Sequence, residues 1–520
     1  MATTQARYTQ LSGSREPFLT RARENSALTI PSLITPEGHS GSSPLKQPFQ
    51  SVGARGCIGL TAKAATTLMP PNEPFFRLDI EEYTLAELSS NPEARAEIEQ
   101  ALTMVERTAS RSVETAGTRM GFSEGTMHLI VGGNVLIYVQ EDLRIKIFTL
   151  DNYVVSRDPM GNEIEIITHE EVALATLPPE IAGLVEAPSE ANAEGAMKAM
   201  DKTAKLYTHL VREDKVWTVK QSINDKDIPG TEGTYPIDKC PWFALRWNRI
   251  DGEDYGRSHV ETILGDLKSL ENLTKAILEY AAGAAKVVAL VNPNGVTDEE
   301  DLSNAENFQF VSGVADDVSF LRIDKYADLQ VAKNLADDLT RRIEQHFLMN
   351  SSIQRSGERV TAEEIRYMAA DLEATIGAVY VQLSQEFQLP LVKITIERLV
   401  KQKRLPKLPK ELVQPTVTTG IDALSRQSDL NKLDRMVAGL RDLYGPEALA
   451  AETNVGDYVK RRAAALGIDP TGLLKTPEQK EEEAQQRQQQ MMMQQGLPNM
   501  INQMGGLAQK GMEANGSQGK

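Results

Sequence analysis

Two long apolar stripes of helical period, with a short acidic segment between them, constrain this chain more than any other feature. From Ser258 to Lys286 the positions Val260, Ile263, Leu264, Leu267, Leu270, Leu273, Ile277 and Ala281 recur at steps of three and four, the spacing of one helix face. About 29 residues of helix span roughly 43 Å at about 1.5 Å per residue. A second rod carries Val331, Leu335, Leu339, Ile343 and Phe347 at steps of four. Steps of four drift around an α-helix, so this stripe is expected to wrap and touch more than one neighbour. Residues 287–325 between the rods hold strand-like VVALV, FQFV and VSFLRI pieces. Seven acidic residues and no basic one fall between Asp298 and Asp317. A small α/β module placed there lets the rods run antiparallel, with the module at their far end.

The second rod runs into a polar, glycine-containing loop, Asn350 to Arg359. Thr361-x-x-Glu364 then reads as a capping box that starts a third helix. That helix is expected from Ala362 to about Gln388, to be kinked or restarted at Pro390, and to resume to Lys403. Two rods joined by a polar loop suit the lining of a passage. The loop has no metal-ligand spacing, phosphate cradle or activated nucleophile.

Residues 1–50 read as a polar, loop-rich arm punctuated by Pro31, Pro36, Pro44 and Pro48. Asn91-Pro92 opens a helix, with asparagine suited to the N-cap and proline to the first turn. Its stripe runs Ala94, Ile98, Leu102, Val105, Ala109, Val113, Ala116 and Met120. From Met127 the period changes to short β-rich runs, Leu129-Ile-Val, Val135-Leu-Ile-Tyr-Val, Ile145-Lys-Ile-Phe and Ile164-Glu-Ile-Ile. Turn signals stand at Gly132-Gly133-Asn134 and Pro159-Met-Gly-Asn162, and a hairpin is expected around Glu213-Asp-Lys215. Pro178 to Gly195 reads as a linker or insertion. Residues 422–467 predict two shorter amphipathic helices, the second stopped by Gly467. The end, Thr476 to Lys520, is rich in Gln, Met and Gly and is of low complexity.

Chemistry is hard to find in the pattern. The six histidines show no i, i+4 pairing, and there is no HExxH. Gly53, Gly56 and Gly59 lack the order of a phosphate-binding loop and read as a turn entering a tightly packed helix. Gly256-Arg-Ser258-His-Val fails as a nucleophile elbow at its last position. The pairs Glu363/Glu364 and Asp337/Asp338 point in different directions on their helices, so they read as solvated or helix-start charge. Cys57 and Cys240 are the only cysteines, which excludes a disulfide framework and a cysteine zinc site and suggests buried thiols. No cofactor is implied.

The formal charge is −17, with 41% hydrophobic and 25% charged residues, an ordinary balance for a soluble protein. An acidic chain lacks the lysines and arginines that neutralise phosphates, so it does not read as a nucleic-acid clamp. It can still handle DNA that must slide past without sticking. Two basic features remain open. Arg398 to Lys410 carries six positive charges and no acid, and either touches DNA or complements a helix C-terminus. Arg355 and Arg359 either touch passing phosphates, or Arg359 pairs with Glu363 or Glu364 and stiffens the loop. No apolar stretch reaches about 18 residues, and residues 1–25 have no apolar signal core. A cytoplasm-like compartment without membrane contact is the expectation.

Several ordered runs carry a family resemblance: Asp254-Tyr-Gly-Arg-Ser258, LGDLKSLENLTKAI, LVNPNG, VSGVADDVSFL, ERVTAEEIRYMAADLE and LSQEFQLPLV. They cover about residues 250–420, with TIPSL, FQSVGARG and GGNVLIYV in support nearer the N-terminus. The chain resembles the portal (head-to-tail connector) proteins of short-tailed, podovirus-type bacteriophages. The resemblance implies an α+β, mainly helical portal fold with wing, stem, clip and crown regions, assembled as a twelve-subunit ring at one capsid vertex. Residues 1–257 would be the arm and wing, 258–286 the first stem helix, 287–327 the clip and 328–349 the second stem helix. Residues 350–360 would be the tunnel loop, 361–421 the long kinked helix and return to the wing, and 422–475 the crown. The tail at 476–520 matches no family motif.

The resemblance also implies partners. These are further copies of the chain, capsid and scaffolding protein, the terminase large subunit during packaging, a tail adaptor afterwards, and double-stranded DNA passing non-specifically. The protein would be assembled in the host cytoplasm and reside in the virion. Gln354, Arg355, Ser356, Gly357 and Arg359 would face the channel. Leu267, Leu270, Leu335, Leu339 and Ile343 are expected at the subunit interface. Asp298, Glu299, Glu300, Asp301, Asp316 and Asp317 are expected to dock partners. A packaging ATPase or nuclease would need a P-loop or an acidic metal cluster, and neither is visible. A tail adaptor or scaffold-type virion protein would share the helices and acidity but not the order of rod, module, rod and loop.

Overall fold

A computed structural model describes residues 3–71, 75–79, 92–173, 203–284, 289–306, 309–320, 326–349, 377–405, 416–419 and 433–443, with isolated positions at 176–178, 181 and between 445 and 486. The loop Asn350 to Arg359, the capping box at Thr361 and Glu364, and the start of the third helix lie outside the described residues. So do most of Pro178 to Gly195 and nearly all of the Gln/Met-rich end. The chain forms two compact units, residues 1–424 and 425–520.

The first unit is mixed α and β. In chain order it holds α1 (Thr4–Leu28), α2 (Val52–Leu68), β1 (Phe76–Asp79), α3 (Pro92–Thr115), α4 (Thr118–Gly132), β2 (Asn134–Val139), β3 (Ile145–Phe148), β4 (Tyr153–Arg157), β5 (Glu163–Ala173), β6 (Thr203–Glu213), β7 (Val216–Ile223), β8 (Lys226–Asp227), β9 (Gly233–Pro236) and β10 (Trp242–Arg246). There follow α5 (Leu264–Ala284), β11 (Ala289–Val291), α6 (Glu299–Asn304), β12 (Val318–Phe320), α7 (Tyr326–His346), α8 (Leu389–Lys401) and β13 (Thr416–Thr419). Strands β4 to β9 make an antiparallel six-stranded sheet, β10-β2-β3 a three-stranded one, and β1 pairs with β13. The hairpin expected at Glu213-Asp-Lys215 joins β6 to β7, with Asp214 at φ 35°.

β2 is an apolar run because both of its faces are covered. Val135, Ile137 and Val139 enter one core with α2, α3, α4, Phe243 and Leu245. Leu136 enters a second core with α1, Tyr153, Ile166, Trp242 and Ala244. The period-two alternation of β2 and β10 thus divides their side chains between two cores.

Three expectations are corrected here. The arm does not stay loop-rich over its first half: Thr4–Leu28 is a helix of 25 residues, with Thr3 as N-cap and Pro17 inside it. Its sequence lacks an apolar stripe because polar groups hold it. Arg15 Nη1 donates to the carbonyls of Asp151 (2.7 Å) and Tyr153 (3.2 Å), and Asn25 Nδ2 to Val131 O (3.1 Å) and Ser258 Oγ (2.8 Å). Near the other end Arg7 grips Glu165 (Nη2 to Oε2, 2.7 Å), which His209 Nε2 also meets at 2.8 Å. Burial works against the Glu165 carboxylate, but hydrogen bonds from His209 and Arg7 hold it at about 2.

Second, Leu129-Ile-Val is the end of α4 and not a strand. The long helix expected to Met120 breaks at Gly117 (φ 72°), and α4 begins beyond it. Phe122, Leu129, Ile130 and Val131 are fully buried; a helix covered on several sides loses its one-face periodicity. Third, the described part of FQFV carries no strand, and Phe310 is fully exposed.

The kink expected at Pro390 is present as a π-turn over Ser384–Gln388 that leads into α8. Proline has no N–H for the Glu386 carbonyl, and a widened turn accommodates the loss. Phe387 fixes the turn by stacking on Phe122 at 4.6 Å and meeting Phe243 edge-on at 5.8 Å. In the second unit, residues 433–443 are helical, and Asp434 accepts from Tyr458 Oη and pairs with Arg462 at 3.4 Å.

Candidate functional site

The Asp254-Tyr-Gly-Arg-Ser258 run is the entrance to the helical hairpin. Asp254 Oδ1 accepts from Arg157 N (2.9 Å), and Tyr255 Oη from Val155 N (3.0 Å), which ties the run to β4. Asn134 bonds both backbone groups of Gly256, Oδ1 from its N (2.7 Å) and Nδ2 to its O (2.8 Å). Gly133 sits at φ 79°, and a Cβ there would lie 2.7 Å from Ser258 N and 2.9 Å from Gly256 O. No side chain fits such an approach, so the Gly-Gly-Asn turn of the sequence is a docking point for the distant segment Gly256 to Ser258. Arg257 bridges Glu253 and Glu261, and the hydrogen bond to Glu253 leads the causes that raise its pKa. His259 N then donates to Ile130 O at 3.1 Å.

From this anchor a 3₁₀ turn, Val260–Ile263, enters α5, and α7 returns beside it. The end of α7 meets the start of α5: Arg342 pairs with Asp266 at 3.5 Å, and the rings of His259 and His346 stack at 4.2 Å. Leu267, Leu270, Leu339 and Ile343 are all buried within the single chain, at 4% exposure or less. Their expected place at a subunit interface is therefore corrected. They join the core of which Val52 and Leu60 of α2 are part, a third layer that the stripes alone do not reveal. Leu335 keeps its outward position at 52% exposure, with Val331 at 68% and Leu278 at 49%. The hairpin is sealed at its base and apolar on the outside further along.

The acidic module at the hairpin's far end is built on the antiparallel pair β11 and β12, with Leu290 opposite Ser319. Asp298 caps α6 by accepting from Glu300 N at 2.8 Å. Asp317 Oδ2 accepts from Val296 N (2.9 Å) and Thr297 Oγ1 (3.2 Å), and its carbonyl from Asn292 N (2.9 Å). These two of the six expected docking acids hold the module's own turns together. Glu299, Glu300, Asp301 and Asp316 are exposed, as are Val296, Phe310 and Val314. Gln354, Arg355, Ser356, Gly357 and Arg359 lie outside the described residues, which reach Met349 on that side.

Other expected groups find ordinary structural places. Arg398 donates to the Val139 and Gln140 carbonyls, so it is not a free cation at a helix end. Cys57 and Cys240 are buried thiols, both pushed up to about 12 by burial. Among the described residues no group of three or more His, Cys, Asp or Glu is placed to hold a metal ion, and no helix is long and apolar enough to cross a membrane. Sequence reasoning missed the roles of Asn25, Asn134 and Tyr255, each of which bonds a partner a hundred or more positions away along the chain.

The described residues thus give an antiparallel helical hairpin anchored in an α+β body, with a small acidic module between its two helices. The chain belongs to the family of bacteriophage head to tail connecting proteins, whose profile matches residues 1–474. It is 40% identical over 480 residues to the portal protein of Escherichia phage T7, covering 91% of this chain and 88% of that one. The portal protein of Enterobacteria phage T3 is also 40% identical, over 481 residues, with 91% and 88% covered. Among solved structures, a chain from the neck of an empty GTA particle aligns at TM-score 0.38 and 10% identity, covering 86% of this chain and 94% of that one. A portal role at the head–tail junction goes with the family membership.

The stacked histidines give the hairpin base a pH signature. Burial, and then the neighbouring His346 ring, push His259 down to about 4, against the pull of the His346 carbonyl. Burial lowers His346 as well, against the pull of its hydrogen bond with His259 and of the Asp266 carboxylate. A histidine whose folded pKa lies below its unfolded value near 6.5 stabilises fully above that pH and progressively less as pH falls toward about 4. The thermal midpoint is expected to fall through that window, with His128, also pushed to about 4 by burial, contributing. Calorimetry of His259→Gln should show a flatter pH dependence between 6.5 and 4; an unchanged slope would remove the assignment.

Proposed function

We propose that this chain forms the ring-shaped DNA conduit at one capsid vertex, through which the genome is packaged and later ejected. In this reading α5 and α7 are the stem, residues 287–327 the clip, residues 350–360 the tunnel loop, the α+β body the wing, and residues 422–475 the crown. The observation that carries the reading is the apolar surface that Leu278, Val331 and Leu335 each expose on the hairpin of a chain belonging to a connector family. A monomer gains nothing by exposing it. Repeated copies packed side by side cover it, and head-to-tail contacts that close give a ring. The net charge of −17 keeps passing DNA from sticking, since each phosphate met by a fixed cation adds affinity and hence friction.

The ring is the first consequence to test. Leu335→Glu places an unpaired charge in the apolar seam, and native mass spectrometry is expected to show monomers in place of a closed ring of about twelve copies. Intact rings would mean that Leu335 faces solvent. For the clip, the exposed carboxylates Glu299, Glu300 and Asp301 are proposed to dock the terminase and then the tail adaptor. Changing all three to Ser should weaken retention of both partners in pull-downs, and undiminished retention of both would count against it. For the loop, Gln354, Arg355, Gly357 and Arg359 are proposed as sparse guiding contacts. Deleting Gln354 to Gly357 should leave rings intact and shorten the packaged or retained genome; full-length, stably retained genomes would make the loop a mere connector.

A further inference from the structure

Phe347 stands one residue beyond α7, at the last point before the chain leaves the hairpin, and is 1% exposed. Its ring lies against α2 at Gly56, where a Cβ would sit 2.4 Å from ring Cδ2 and 2.5 Å from Cγ. One turn earlier on the same helix, a Cβ on Gly53 would sit 2.9 Å from Leu28 O and 3.2 Å from Leu267 Cδ2. A glycine inside a helix is less favourable than alanine, so α2 gives up local stability to let the hairpin base approach. Gly59 of the same helix has nothing within 4 Å of a Cβ, so the close approach is confined to the notch.

α2 makes a second hold on the same exit. After Phe347 the chain turns through Leu348 at φ 56°, with Leu348 N donating to Gln345 O (3.1 Å) and Met349 N to Glu344 O (2.8 Å). Lys63 Nζ, two turns along α2 from Gly56, donates to the Leu348 carbonyl at 2.5 Å. His259 closes a further side of the Phe347 ring, edge-on at 5.5 Å. Phe347 and Leu348, near the end of the described residues before position 350, are therefore gripped by one helix through an aromatic knob and a lysine.

We propose that the Gly53–Gly56 notch and Lys63 form a positioning site: α2 sets where and at what angle the chain leaves the hairpin toward residues 350–359. A shift of α2 in the wing is thereby transmitted to the channel-facing segment. The channel part of this inference rests on the tunnel-loop reading above, whereas the positioning of residues 347–349 does not. Phe347, Gly56 and Lys63 touch no DNA in this scheme and act through the chain that follows.

The test uses full-length protein assembled in particles, with Gly56→Ala, Gly59→Ala, Lys63→Met, Phe347→Ala, the double variant Gly56→Ala/Phe347→Ala, and the Gln354–Gly357 deletion. Gly56→Ala is expected to leave rings intact, to speed amide exchange at Leu348 and Met349 by about tenfold, and to lower the yield of full-length packaged genomes. Gly59→Ala should match the unmodified protein in both readouts. In the Phe347→Ala background, adding Gly56→Ala should change nothing further, because the coupled partner is gone. Lys63→Met, which adds no volume to the notch, should speed the same two amides and serves if Gly56→Ala fails to fold. Unchanged exchange in both Gly56→Ala and Lys63→Met would overturn the positioning site. Faster exchange with normal packaging, while the deletion lowers packaging, would overturn the coupling. Normal packaging in the deletion would instead strike the tunnel-loop reading and, with it, the channel part of the inference.

Discussion

The approach of two backbones at Gly133 and Gly256 is the constraint on which the rest of the first unit depends. A Cβ on Gly256 would lie 3.1 Å from Gly133 O and 2.7 Å from Arg246 Cβ. Asn134 then satisfies both polar groups of the Gly256 peptide, which a buried backbone requires. This contact sets the end of α4, the start of β2 and the entry to α5 at one point. Asn25 of α1 reaches the same place through Ser258, so four elements from three distant stretches of the chain share one hydrogen-bonded knot.

The two-faced strands extend that knot into a body. β2 and β10 alternate their side chains between two cores, so neither core can shift without moving the sheet between them. Arg246, 1% exposed on β10, is lowered to about 10, by burial first and then by the neighbouring Arg157. Its backbone carbonyl accepts from Gln382, in the turn of helix that precedes the π-turn. The π-turn itself is clamped by Phe122 from α4. The hairpin therefore rises from a body whose layers are interlocked by polar as well as apolar contacts.

Along the hairpin the character changes from sealed to open. Near the base, Phe347, Ile343 and Leu267 are covered by the chain's own α2, and further out Leu278, Leu335 and Val331 are bare. The same stripe of steps of four supplies both, because its drift turns successive residues from one neighbour toward another. At the tip, some acids are consumed by local architecture, Asp298 at a helix start and Asp317 in a turn, and the remainder face outward. Residues identical in type thus divide into framework and surface according to which backbone N–H groups lie within reach.

What the sequence determined by itself is the set of strongly periodic elements. These are the two rods, the run Val135 to Val139, the hairpin at Asp214, the break before Pro390 and the order of rod, module and rod. Period and turn chemistry are local, so they survive without knowledge of neighbours. The family resemblance lay in ordered runs such as Asp254 to Ser258, although nothing in that run announced that it ties β4, β2 and α1 together. The tertiary structure decided three things that local pattern cannot. It made Thr4–Leu28 a helix through contacts of Arg7, Arg15 and Asn25 with residues more than a hundred positions away. It turned Leu129 to Val131 into helix, since burial on several sides erases the amphipathic signal. It also assigned Leu339 and Ile343 to the chain's own core and left Leu335 outside, because which face of a drifting stripe is covered depends on where α2 lies, and only long-range packing fixes that.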